Sequence, residues 1–117
     1  MAMRWYAAKL LTYSRVGREV QKKALTDEGI FLIRAEDASD AYEKAKRLGK
    51  KVCPQQYKNP SGQKVVWRFI GVMELWGLWD SLPKSGSEVW WDLRERNSDL
   101  KHLRSLIPPK LELKAFR

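Results

Sequence analysis

Three stretches, "RWYAAKLLTY" (4–13), "IFLIRAE" (30–36) and "VVWRFIGVMEL" (65–75), have strand composition with apolar residues on both alternating parities. An antiparallel strand with one face in water alternates apolar with polar residues, so a sheet built from these needs cover on both faces. Between the second and third stretches lies "DASDAYEKAKRLGKK". There Ala38, Ala41, Tyr42, Ala45 and Leu48 recur at helical spacing and predict one amphipathic helix laid against the sheet. Asp37 is the expected N-cap. Asp40 and Glu43 suit the positive end of the helix dipole, Lys46 and Arg47 the negative end, and Gly49 is the expected stop.

The connections are less specific. "SRVGREVQKKALTDEG" (14–29) reads as a loop or a long hairpin. "VCPQQYK" suits a short edge strand, since a strand tolerates Pro54 at an edge and rarely in the middle. "NPSG" is a turn, Gly71 a candidate bulge, and Gly77 and Pro83 bracket an irregular piece around Trp76, Trp79 and Asp80. "SEVWWDLRE" fits a strand or a helix start. "SDLKHLRSLI" predicts a final helix capped by Ser98, with Leu100, Leu103 and Ile107 as its seam, before a loose tail of eight residues.

The fold class that follows is α+β: an antiparallel sheet of four or five strands with one helix on a face (β-β-α-β-β), plus a C-terminal helix. Residues 3–93 form the core domain and 94–117 the helix and tail. If Trp67 and Phe69 lie under the main helix, then Val66, Ile70 and Val72 project from the other face. The final helix or a second copy of the chain must cover them, and a homodimer is expected.

Charge narrows the partners. The chain of 117 residues carries a net +9, unevenly spread: residues 27–43 hold six acidic and one basic side chain, and residues 44–68 hold eight basic and none acidic. An anionic partner and simple solubility both account for such a surface. No apolar run reaches the ~18 residues of a membrane span, and Lys9 interrupts any signal-peptide core. Cys53 is the single cysteine, which excludes a disulfide framework or a paired-cysteine metal site. No membrane association and a cytoplasmic location are expected.

No constellation reads as catalytic, cofactor-binding or metal-ligating. Glu36, Asp37, Asp40 and Glu43 are accounted for by capping and the helix dipole. Glu112 and Lys114 have the Glu-x-Lys spacing of many nucleases but no organised acidic partner. His102 is expected exposed and Cys53 buried as a small apolar side chain. The candidate partner or nucleic-acid contacts are Arg15, Arg18, Lys22 and Lys23 in the first connection, Lys50 and Lys51 at the helix end, and Arg68. To these are added Trp76, Trp79, Trp90 and Trp91 near turn signals, whereas Trp5 and Trp67 are expected in the core.

"MRWYAAKLL", "FLIRAEDASDAYEKAKRLGK", "VVWRFIGVMELW" and "SGSEVWWDL" together resemble a family of short bacterial proteins, domain of unknown function 4288, over about residues 3–93. The resemblance implies a small stand-alone bacterial protein and assigns no activity, cofactor or site residue. The leading expectation is therefore a non-enzymatic binding or adaptor protein that self-associates through a sheet face or edge. An RNA- or DNA-binding module using the basic loop, helix end and exposed aromatics is the alternative.

Overall fold

A computed structural model describes residues 3–17, 23–78 and 92–116. Within them the chain runs β1 (Arg4–Val16), β2 (Lys23–Ala35), α1 (Ala38–Val52), β3 (Gln55–Lys58), β4 (Lys64–Gly77), β5 (Asp92–Asn97), α2 (Leu100–Ser105) and two short 3-10 turns, Lys110–Glu112 and Lys114–Phe116. The strands form one antiparallel sheet in the order β3-β4-β1-β2-β5. The fold is α+β, with five strands, one main helix after the second, and a short C-terminal helix. The connection at 14–29 is a long hairpin: β1 pairs with β2 from Arg4↔Ala35 to Tyr13↔Thr26. At ~3.4 Å per residue, the 14 residues of β4 nearly span the molecule's 49 Å length.

The helix lies where its apolar stripe requires. Ala41 and Ala45 are fully buried against Tyr6, Ala8, Leu10, Ile33 and Ala35, in one cluster with Val72 and Leu75 of β4. Asp37 caps α1, its side chain accepting from the Asp40 N–H at 2.8 Å, while the Asp40 carboxylate accepts from the Glu36 N–H at 3.1 Å. That second bond, with Lys44 close by, holds the Asp40 carboxyl below its usual range. Gly49 does not end the helix. It is buried inside the last turn, and a Cβ there would come within 2.4 Å of the Phe69 ring. The helix stops at Cys53, whose extended backbone is what a following proline imposes.

β4 departs from simple alternation twice. Its register against β1 shifts between Leu11↔Gly71 and Thr12↔Phe69, and again between Lys9↔Glu74 and Leu10↔Val72, so Ile70 and Met73 are extra residues. The first shift confirms a bulge beside Gly71 and corrects one side chain: Val72 belongs to the helix-side core, while Ile70 points to the other face.

The other face receives the chain's own α2, where Leu103, 0% exposed, packs on Tyr13, Ala24 and Ile70. Asp99 rather than Ser98 caps this helix, accepting from the Lys101 N–H, and Leu100 is exposed. On the same face Glu28, nearly buried, pairs with Arg96 at 3.2 Å. Past α2, Ile107 rests on Gly71. The tail then returns to the α1 side, where Leu113 is 2% exposed in the main core and Phe116 meets the Tyr42 ring edge-on. Tail residues 110–116 are thus docked, because Leu113, Ala115 and Phe116 complete the cover over α1 and β4.

Candidate partner-binding edge

β3 pairs with β4 only over Lys64–Trp67. From Arg68 to Gly77, no strand among the described residues pairs with the outer side of β4. The tail crosses the distal part of this edge: Pro108, Glu112, Leu113 and Lys114 share a cavity of about 450 Å³ with Met73, Glu74 and Trp76. The proximal part, Arg68–Val72, lines a groove of about 470 Å³. Tyr42, Lys46 and Lys50 of α1 border it on one side, Ile107 closes it on another, and Cys53 and Pro54 form the end nearest β3.

The groove is basic by construction. The polar face of α1 puts Lys46 and Lys50 four residues apart on one side. The β4 pleat supplies Arg68 from the strand itself. No acidic side chain among the described residues lines the groove. Lys46 has local partners, the Glu43 carboxylate at 4.0 Å and the Tyr42 ring at 5.3 Å. Lys50 and Arg68 are exposed and have no carboxylate partner among the described residues. Cys53 is buried, and desolvation with help from Asp27 raises its thiol pKa, so the groove holds a neutral thiol rather than a nucleophilic thiolate.

Of the residues singled out from sequence, the structure brings Lys50 and Arg68 together. Arg15, Lys23 and Lys51 are exposed outside this groove. Trp76 is half-buried in the distal cavity, next to the tail. Arg18, Lys22, Trp79, Trp90 and Trp91 lie outside the described residues. Trp5 and Trp67 are half-buried rather than core. Trp67 lies beside the outermost strand β3, and its indole N–H donates to the Tyr57 hydroxyl at 3.0 Å. Ile107 was not singled out as a contact. The tail that places Ile107 on β4 had no signal beyond its apolar spacing.

The distal cavity joins Glu74 to Glu112 and Lys114, two carboxylates and an amine. Glu74 is already paired across the strands with Lys9, at 3.7 Å. Among the described residues no three His, Cys, Asp or Glu side chains are grouped to hold a metal ion, and no helix is long and apolar enough to cross a membrane.

The family model described as "Domain of unknown function (DUF4288)" matches residues 5–91. The chain belongs to this family. No curated protein and no solved structure matched it. The DUF4288 match takes in β1 through β4 and all of the groove except Ile107; α2 and the docked tail lie beyond it.

Proposed function

We propose that this DUF4288 protein is a non-enzymatic binding protein of the bacterial cytoplasm that takes an extended polypeptide segment onto the outer edge of β4. The observation that carries this reading is the stretch Arg68–Val72, which no strand among the described residues pairs, set between a helix and Ile107 and proximal to the tail crossing. A sheet edge presents a row of backbone donors and acceptors, and a partner strand gains affinity by pairing with them. The homodimer expected from the two-sided strands loses its main reason once α2 covers Tyr13 and Ile70. Two copies joined edge to edge would also confront two sets of Lys46, Lys50 and Arg68.

Hydrogen exchange tests the reading directly. Ten-residue peptides alternating valine with glutamate, glutamine or lysine are added in excess to the full chain. Slowed exchange confined to β4 amides within 68–72, with any one of them, supports strand addition. Unchanged exchange there with all three removes it.

A second reading, nucleic-acid contact, is favoured by one feature. The Gly17 N–H donates to the Lys64 carbonyl at 2.8 Å, which brings Lys64 to the sheet end that also carries Arg15, Lys23 and Lys58, all four cations exposed. A labelled oligothymidylate whose binding falls steeply with salt would support it.

A further inference from the structure

We infer that the segment received by β4 is acidic at alternate positions and aliphatic between them. The inference rests on the strand-addition reading and specifies its occupant. The five edge residues that no described strand pairs give room for about 17 Å of partner strand, enough for two or three side chains on each face. In a strand laid along β4, successive side chains point to opposite faces. Those on the α1 side meet Lys46 and Lys50. Those on the other side meet Ile70 and Ile107, with Arg68 at the end toward β3.

Charge complementarity decides between occupants. Among the described residues the groove offers three cations and no carboxylate, and Lys50 and Arg68 have no carboxylate partner. A nucleic-acid strand would satisfy the same charges, but it gains affinity in such a groove by stacking bases on open aromatic faces. Tyr42 does not offer one. Lys46 and Lys110 lie 5.3 and 5.2 Å from its ring centroid, and Phe116 packs on it edge-on. The remaining apolar lining on the far side is aliphatic, which suits valine or isoleucine side chains. The lysines and the bulges at Ile70 and Met73 are also devices that keep sheet edges from pairing indiscriminately. An acidic strand short enough to fit between the tail and β3, and to follow the bulge at Ile70, is the occupant they do not repel.

The test uses the three valine-alternating peptides above, dye-labelled, with fluorescence anisotropy on the full chain and on the K50E/R68E variant. Both substitutions are at exposed positions, and circular dichroism confirms that the variant is folded. The expected order for the wild type is glutamate over glutamine over lysine. The variant should weaken the glutamate peptide by about tenfold or more and tighten the lysine peptide. Equal binding of the glutamate and glutamine peptides, with exchange still slowed at 68–72, would overturn the acidic preference and leave strand addition standing. No peptide binding and no slowed exchange would remove both. Binding of oligothymidylate alone, lost in the variant, would assign the cations to phosphate instead.

Discussion

Phe69 and Gly49 show how a single missing side chain sets the distance between α1 and the sheet. The Phe69 ring occupies the volume a Cβ at Gly49 would need, with three ring carbons within 2.6 Å of that position. In an exposed helix, replacing glycine by alanine gains up to ~1 kcal/mol of helix propensity. Here the methyl must push the ring or the helix away, at about 1–3 kcal/mol for overpacking, so Gly49→Ala is expected to destabilise. Adding Phe69→Leu, which clears the ring, should make the two changes non-additive, and urea denaturation of the four proteins measures that coupling. The same pair marks the limit of reading at this scale. Asp37 was legible as a cap because its partner lies three residues away in the sequence. Gly49 looked like a helix stop because nothing local shows that a phenylalanine twenty residues later needs the space. Trp67 looked like core for a similar reason, since alternation reveals which face a residue is on and not how near the sheet edge it stands.

Among the elements, β4 and the tail depart most from a simple strand pattern, and the candidate site lies between them. The strands β1, β2 and β4, the helix α1 and the edge position of β3 were legible from periodicity, Pro54 and turn residues, whereas 14–29 stayed open between a loop and a hairpin and the β5 region between a strand and a helix. The second register shift was not legible. The first, whose bulge at Gly71 was legible, moves Val72 to the helix side, and the two together bend the edge that borders the groove. The tail was read as loose because two prolines and short apolar spacing give no periodic signal. Its anchoring is tertiary: Leu113 enters the core and Lys110 reaches Ser39 Oγ at 3.2 Å. If that docking is part of the fold, Leu113→Ala should cost about 2–5 kcal/mol, the range for emptying a buried leucine site. The corresponding drop in melting temperature, on the order of 10 °C, is read by calorimetry. A truly loose tail would show almost no change. Leu111→Ala, three-quarters exposed in the same segment, is the matched control and should change little.

At the scale of the whole molecule, the folding of the chain converts a charge pattern along the sequence into one along the long axis. The end of the sheet marked by Val16↔Val65 and Lys58↔Lys64 carries Arg15, Lys23, Lys58 and Lys64. At the opposite end, Glu36, Asp37 and Asp40 stand beside Arg4 and Arg34 and offset them. The molecule is 49 Å long, whereas charges are screened over about 8 Å at physiological salt, so the two ends act on a partner almost independently. Lys50 and Arg68 stand between them on the side of the basic end. An acidic segment is therefore drawn first by a broad field and held afterwards by short-range strand pairing and by Ile70 and Ile107. These two stages respond differently to salt. For the valine–glutamate peptide, raising sodium chloride from about 0.05 to 0.5 M should slow association by about tenfold and change dissociation less than about twofold, as read by stopped-flow anisotropy. A salt effect falling mainly on dissociation would mean that the bound carboxylates stay solvated against Lys46, Lys50 and Arg68 and themselves hold the peptide. The backbone of β4 would then contribute little, and slowed amide exchange at 68–72 should be weak in the same samples.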